Sequence, residues 1–357
     1  MKRLLIFWIA ITFLSCEKDD GLQTNHCIIN TINIDNKING GSILQTWRLF
    51  NKDNPTINLV QKTNANWVSL SPVIGIQDNS EQFPPFRYEF PVSAEVEKMK
   101  EIIPAMVNSG LQNIMLKPLT SFGSIGMDGS GFWGEFYVAT EEEWSEVEST
   151  YTELFYEFAK LSEEFTEVKL LSIGNELKEF TKRRPQFFKA LIVKIRTDFP
   201  NLKLTYAANW DEYQSISFWE DLDYIGVNSY FPLVNKETPT VNEVKQALTP
   251  IKNDLNTLSC TNNKPILFTE YGYRSIDYAA WKAWLLDPIT NINYNFEAQS
   301  NAYTAFYETF WEENWVAGGF FWEWRTLLFG EENDPHENGW YVNDKPVENI
   351  INERYAK

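Results

Sequence analysis

Histidine and cysteine, which most metal sites and nucleophilic triads require, are scarce in this sequence. It has two histidines, His26 and His336, and three cysteines among 357 residues. Both histidines lie in polar stretches, whereas a zinc site or a Ser-His-Asp triad would need histidine among the catalytic side chains. We therefore predict no metal and no cofactor. Cys27 and Cys260 could pair in an oxidising compartment, but two cysteines in so long a chain are weak support, and we expect unpaired thiols.

Basic residues are also few. Lys and Arg number 31 against 49 Asp and Glu, which gives a net charge of −18, and they form no cluster. Such a charge repels phosphates and argues against a nucleic acid partner. Aromatic residues, by contrast, make up 15% of the chain. Most of them should pack in the core, and a minority could serve as flat platforms for sugar rings.

The apolar run nearest the start of the sequence, residues 4–14, is too short to remain as a membrane span. It follows two basic residues and precedes small polar ones, which is the layout of a signal peptide over residues 1–15. Without a permanent span, the sequence predicts contact with a membrane only through a lipid anchor.

The three residues Leu14-Ser15-Cys16 are similar to the lipobox of bacterial lipoproteins, in which the cysteine is lipidated. The acidic residues 17–20 resemble the tag that directs lipoproteins of Bacteroidetes-type bacteria to the cell surface. We therefore predict lipidation of Cys16, a polar tether over residues 16–36 and an outer-membrane lipoprotein exposed at the cell surface. A plain cleaved signal, giving a periplasmic or secreted protein, is the alternative.

After the tether, apolar strands and amphipathic helices alternate regularly. The predicted strands are residues 37–44, 66–72, 111–119, 168–176, 202–208, 222–228, 266–270 and 316–322. About eight such units in roughly 300 residues favour a closed (β/α)8 barrel of the TIM type over an open doubly wound sheet. We predict one α/β domain over residues 37–357, with residues 80–91 and 120–140 as loops and no oligomer.

Two glutamates stand where buried strands end. Glu176 ends the fourth predicted strand and Glu270 ends the seventh. In a barrel both would lie at the carboxyl-terminal face, where active sites form. Paired carboxyl groups are the catalytic groups of glycoside hydrolysis, one as acid and base and the other as nucleophile. Structural salt bridges at the two strand ends are the competing interpretation.

The motifs around these glutamates resemble those of clan A glycoside hydrolases, and the best match is to glycoside hydrolase family 113. The matching stretches, in chain order, are Ala65-Asn66-Trp67-Val68, Met115-Leu116-Lys117-Pro118, Trp133-Gly134-Glu135, Ser172-Ile173-Gly174-Asn175-Glu176-Leu177, Thr269-Glu270-Tyr271-Gly272-Tyr273-Arg274-Ser275 and Gly319-Phe320-Phe321-Trp322-Glu323-Trp324. The resemblance implies a retaining endo-β-1,4-mannanase acting on mannan-type polysaccharides. The Gly-rich loop 123–131 and an apparent insertion over residues 277–298 depart from it and leave the preferred sugar open.

The resemblance also implies roles for further residues. Asn175 should contact the 2-hydroxyl of the sugar that is cleaved, Tyr230 should donate to Glu270, and Trp322 should be the sugar platform. Weaker candidates for substrate contacts are Lys117, Trp133, Glu135, Asn209 and Trp324. A rim tyrosine, a core tryptophan and ordinary salt bridges are the competing interpretations.

Two other functions are compatible with the sequence. Another clan A specificity, such as a β-mannosidase, glucanase or xylanase, would use the same pair of carboxyl groups. A non-catalytic surface protein that binds glycans could dispense with one of them, yet both are present.

Overall fold

The computed structural model describes residues 34–44, 46, 58–78, 86–88, 92–122, 132–285, 293–326 and 339–357. The predictions for the signal peptide, Cys16, most of the tether, loop 123–131 and residues 286–292 lie outside these ranges. So do His26, His336 and Cys27.

The described chain alternates strands and helices. The strands are β1 (Ile38–Ile43), β2 (Trp67–Leu70), β3 (Val73–Asp78), β4 (Phe86–Tyr88), β5 (Ile114–Leu116), β6 (Leu119–Phe122), β7 (Val168–Asn175), β8 (Lys203–Asn209), β9 (Ile225–Asn228), β10 (Ile266–Tyr271) and β11 (Val316–Phe321). The α-helices are α1 (Leu59–Thr63), α2 (Val92–Asn108), α3 (Glu141–Glu164), α4 (Lys178–Arg183), α5 (Pro185–Asp198), α6 (Val241–Asn262), α7 (Phe296–Phe310) and α8 (Pro346–Tyr355).

Eight of these strands close into one parallel barrel in the order β1, β2, β5, β7, β8, β9, β10 and β11. The seam is closed by β1, which pairs in parallel with β11 from Ile38 opposite Gly318 to Gly41 opposite Phe321. This is the predicted (β/α)8 barrel, and it forms a single domain. The parallel direction brings the carboxyl-terminal ends of all eight strands to one face.

A second, three-stranded sheet was not predicted from the sequence. It has the order β4, β3, β6, with β3 parallel to β6 and antiparallel to β4. The prediction of one strand over residues 111–119 is therefore wrong. Pro118 separates β5, which belongs to the barrel, from β6, which leaves it. The predicted loops 80–91 and 120–140 likewise contain β4 and the end of β6.

Helix ends follow the sequence signals closely. Thr140 and Glu143 form a capping box at the start of α3, since Glu143 N donates to Thr140 Oγ1 at 3.2 Å and Thr140 N to Glu143 Oε2 at 2.9 Å. Thr240 caps α6 in the same way. α6 ends at Asn262, because Asn263 adopts the left-handed conformation that terminates a helix.

Most of the core lies between the barrel and its helices. A smaller cluster, made only of barrel-strand residues, fills the lumen: Ile38, Met115, Leu170, Leu267, Ala317 and Phe320. The helix layer is tied to the barrel seam by tyrosine hydroxyls. Tyr271 Oη lies 2.6 Å from Tyr355 Oη, and Tyr355 donates to the Gly40 carbonyl at 2.9 Å. This contact joins α8 to β1, close to where the barrel closes.

Cys260, on α6, is disulfide-bonded, and its partner lies outside the described residues. The expectation of an unpaired thiol is therefore wrong for Cys260. Counting cysteines could not reveal this, because pairing depends on which surfaces the fold brings together. Among the described helices, none combines the length and the apolar character that crossing a membrane requires.

Candidate active site

The two glutamates singled out in the sequence both lie at the carboxyl-terminal face of the barrel. Glu176 immediately follows β7, the fourth barrel strand, and Glu270 is the second-last residue of β10, the seventh. Both are buried, with 7% and 6% of their surface exposed. Asn228 at the end of β9 links them: it pairs in register with Glu270, and its Nδ2 donates to Glu176 Oε1 at 2.8 Å.

Glu176 has surroundings that favour its protonated form. Burial, and next the negative charge of Glu270, raise the pKa of Glu176 to about 8, against the lowering effects of the Asn228 hydrogen bond and Lys117. Its backbone is left-handed, with φ of +56°. A non-glycine residue in this conformation stores strain that neighbouring contacts must hold in place. Glu176 therefore has the features of a general acid in a fixed position.

Glu270 has quite different surroundings. Tyr230 Oη donates to Glu270 Oε2 at 2.7 Å, and the Lys117 ammonium donates to Oε1. Burial, and next the charge of Glu270, hold the pKa of Tyr230 well above its usual range, so Tyr230 remains a donor. Two donors, one of them charged, thus fix both oxygens of this carboxylate. The arrangement suits a nucleophile that must keep one orientation.

Lys117 and Trp322 lie beside Glu270. Lys117 directly follows β5, is fully buried, and places its ammonium 4.8 Å from the centre of the Trp322 ring. Trp322 follows β11 and is partly exposed, and the peptide bond from Trp322 to Glu323 is cis. Gly272 allows this packing, because a Cβ there would lie 2.3 Å from the Trp322 carbonyl oxygen.

Asn228 and Thr269 are site residues that the sequence interpretation missed. Asn228 donates to Asn175 Oδ1 at 3.1 Å as well as to Glu176, and it accepts from Thr269 Oγ1 at 2.8 Å. Asn228 is fully buried, and its two donated hydrogen bonds hold Asn175 and Glu176 together. Its position at the end of a predicted strand is the signal that could have identified it.

The predicted contact residues Trp133 and Glu135 belong to a turn that approaches Glu176. They form one 3-10 turn with Gly134, at which a Cβ would lie 2.7 Å from the Glu176 carbonyl oxygen. Glycine therefore lets this turn approach the backbone of Glu176. Trp133 is partly buried in the turn, and Glu135 is exposed.

Asn209 and Trp324 lie near the same face but have other partners. The Asn209 side chain accepts from the following backbone N–H, of Trp210, at 2.8 Å. Trp324 is only 2% exposed, packs against Phe321, and donates its backbone N–H to the Ser42 carbonyl at 2.8 Å. The structure does not bring either side chain into contact with the two carboxyl groups. Within the described ranges, no cluster of three or more His, Cys, Asp or Glu side chains could hold a metal ion.

Comparisons with solved structures agree with this architecture. A β-mannanase from Alicyclobacillus acidocaldarius superposes with a TM-score of 0.69 at 20% identity, covering 90% of this chain and 97% of that one. A second β-1,4-mannanase gives 0.67 at 19% identity, with 90% and 99% covered. A β-glucuronidase from Faecalibacterium prausnitzii gives 0.53 at 17% identity, with 84% and 44% covered. At these identities the likeness establishes the fold alone.

Sequence comparison is more specific. No curated protein matches the chain. The model of Glycoside Hydrolase Family 113, however, matches residues 45–345, which span every barrel strand except β1 and contain both glutamates. The match covers well over half of the sequence and agrees with the resemblance found in its motifs. The chain therefore belongs to glycoside hydrolase family 113.

Proposed function

We propose that the protein is a retaining endo-β-1,4-mannanase that cleaves mannan-type polysaccharides by double displacement. The observation that carries this proposal is the contrast between two neighbouring buried carboxyl groups. Glu176 accepts a hydrogen bond from a neutral amide and has a raised pKa, whereas Glu270 is held by an ammonium and a hydroxyl. Such a contrast separates an acid from a nucleophile. Membership of the family and the two β-mannanase structures support the choice of substrate.

In the first step Glu270 attacks the anomeric carbon and forms a glycosyl ester, while the glycosidic bond breaks. Glu176 gives its proton to the departing oxygen, so the leaving sugar departs as a neutral alcohol. The proton has to be present at neutral pH, and the raised pKa of Glu176 supplies that condition. Trp322 is the proposed platform for the sugar at the cleaved bond, and Asn175 the contact to its 2-hydroxyl.

In the second step the two residues exchange roles. Glu176, now a carboxylate, takes a proton from water, and the water oxygen attacks the anomeric carbon. The ester bond to Glu270 breaks, so that carboxylate is restored and the product keeps its anomeric configuration. Tyr230 and Lys117 hold the departing carboxylate in place throughout.

Substituting each glutamate tests the assignment. Glu270→Ala should abolish turnover of mannan, and added azide should restore activity with a glycosyl azide of inverted configuration. Glu176→Ala should slow the hydrolysis of mannan more than the hydrolysis of an aryl glycoside with a good leaving group. Added azide should then give a glycosyl azide of retained configuration. Glu153→Ala, on the exposed side of α3, is the matched control. Undiminished turnover in either active-site variant would refute the assignment.

Product analysis separates the proposed substrate from its alternatives. The purified protein should release manno-oligosaccharides of several lengths from β-1,4-mannan, with the β-anomer appearing first by NMR. Release of mannose alone would indicate a β-mannosidase, and preference for glucan or xylan another specificity. Binding of a polysaccharide without any increase in reducing ends would indicate a non-catalytic glycan-binding protein.

We also propose that the protein is anchored at the outer surface of a bacterial outer membrane through Cys16. The lipobox-like residues 14–16 and the acidic residues after them support this proposal. Cells that express the protein should incorporate labelled palmitate into it, and protease added to intact cells should degrade it. Cys16→Ala should abolish the labelling. Labelling that persists in this variant would refute the anchor.

A further inference from the structure

A third buried carboxyl group, Glu212, lies close to the acid. It follows β8 by three residues and is fully buried. Its Oε1 accepts from Tyr206 Oη at 2.7 Å and from Thr181 Oγ1 at 3.1 Å, and its Oε2 accepts from Asn209 N at 3.1 Å. Neither the family motifs nor the reaction steps above use this residue. Burying a carboxyl group costs free energy unless hydrogen-bond donors compensate, and these three donors hold Glu212 in one orientation.

The hydroxyl of Tyr206 connects Glu212 to the acid. Tyr206 Oη donates to Glu212 and accepts from the backbone N–H of Leu177 at 2.7 Å. Leu177 directly follows Glu176 and precedes the first residue of α4. Because the Tyr206 hydroxyl donates its proton to Glu212, its oxygen is oriented to accept from the Leu177 N–H. The carboxyl group thus sets the direction of the hydrogen bond that holds the peptide after Glu176.

This peptide needs an external restraint. Glu176 is in the left-handed conformation, which the chain leaves readily unless the contacts on both sides prevent it. On one side, Glu176 N donates to the Ala207 carbonyl at 2.8 Å. On the other side, Leu177 N donates to Tyr206. Both restraints come from β8, and the second depends on Glu212.

We propose that Glu212 is a positioning residue for the acid: through Tyr206 it fixes the peptide between Glu176 and Leu177, and with it the direction of the Glu176 carboxyl group. The inference rests on the proposed function, since it assumes that Glu176 protonates the leaving group. An error of about 1 Å in the place of a catalytic group can lower a rate by about 100-fold. Loss of the restraint should therefore act on proton donation specifically.

The charge of Glu212 acts in the same direction. Its negative charge raises the pKa of Glu176, although less than burial and Glu270 do. Burial raises the pKa of Glu212 itself to about 7, against the lowering effect of the hydrogen bonds from Tyr206, Asn209 and Thr181. The positive charge of Lys117 lowers the pKa of Glu176 and so opposes the effect of the Glu270 charge. Replacing Glu212 by a neutral residue should therefore lower the pKa of Glu176.

The test compares two leaving groups. The substrates are the oligosaccharide identified by product analysis and the 2,4-dinitrophenyl glycoside of the same sugar, whose departure needs no proton. Glu212→Ala removes both the charge and the acceptor of the Tyr206 hydroxyl, so kcat/KM on the oligosaccharide should fall by about 10- to 100-fold. On the dinitrophenyl glycoside it should fall by less than about 3-fold, and the alkaline limb of the pH profile should move to lower pH. Tyr206→Phe should give the same contrast between substrates.

Thr181→Val is the matched control, because it removes a neutral donor from the same oxygen of Glu212 but leaves Tyr206 in place. It should retain the wild-type ratio between the two substrates. If Glu212→Ala does not fold, Tyr206→Phe decides the question alone. Equal losses on both substrates, or no loss, in the Glu212 and Tyr206 variants would overturn the inference. The proposed function would still stand if Glu176→Gln loses much more activity on the oligosaccharide than on the dinitrophenyl glycoside. Wild-type activity of Glu176→Gln would instead refute the proposed function.

Discussion

Replacing Glu176 by glutamine should make the protein more stable in alkaline solution while inactivating it. Glutamine has nearly the shape of the protonated acid, and its oxygen can still accept the hydrogen bond from Asn228. It cannot ionise. In the wild type, ionisation places a negative charge in a buried position next to Glu270, which is unfavourable for the folded state.

The size of the effect follows from the pKa. The folded-state pKa of about 8 lies above the ordinary value of 4.5, so the stability supplied by the neutral side chain is complete below pH 4.5 and is lost as the pH rises through about 8. At 1.36 kcal/mol per pH unit, this interval corresponds to about 5 kcal/mol. Water entering the cleft screens part of the charge, so the expected difference is about 2–5 kcal/mol.

Urea unfolding of both proteins, followed by far-UV circular dichroism at pH 5, 7 and 9, measures this difference. The stability of Glu176→Gln relative to wild type should increase steadily across the three pH values. Glu153→Gln on the exposed side of α3 is the control and should show no such increase. A difference between Glu176→Gln and wild type that stays constant from pH 5 to pH 9 would refute the reasoning.

Three further substitutions have separable outcomes. Tyr230→Phe removes one donor from Glu270, and kcat should fall by about 10- to 100-fold; an unchanged kcat would mean that the hydroxyl does not hold the nucleophile. Gly272→Ala places a Cβ 2.3 Å from the Trp322 carbonyl oxygen, so it should displace the backbone of Trp322 and with it the indole ring. We expect kcat/KM to fall by at least about 10-fold, and wild-type kinetics would contradict this packing. Tyr355→Phe loses its donation to a β1 carbonyl, so urea unfolding should show a decrease of about 1–3 kcal/mol in the free energy of unfolding with unchanged kcat. A loss of activity without a loss of stability would contradict this last prediction.

The barrel could be predicted because its strands are buried on both faces. Such strands appear in sequence as short apolar runs, and the regular helices between them leave few alternatives. The same logic located the two buried glutamates of the candidate site, since a carboxylate such as Glu176 or Glu270 at the end of an apolar run is conspicuous. Predicting the position of each residue required only its local sequence and the number of strands that precede it.

The remaining features depend on contacts between distant segments. Asn228 belongs to the site because its side chain reaches from the sixth barrel strand to the fourth. Its place at a strand end makes it a candidate, but only the fold shows the contact with Glu176. Glu212 lies in a loop, where acidic residues are ordinarily exposed, and only the fold shows that it is buried. The disulfide bond of Cys260 and the pairing of β3 with β6 likewise depend on which surfaces come together.

The way in which the barrel closes has a consequence for biosynthesis. During translation β1 is made first of the eight strands, yet one of its two neighbours is β11, and the Tyr355 hydroxyl that reaches Gly40 of β1 lies 315 residues away along the chain. A ribosome-bound chain that still lacks residues 316–355 therefore exposes an unpaired edge of β1. The barrel can close only once residues 316–355 have left the ribosome, and until then chaperones have a strand edge to recognise.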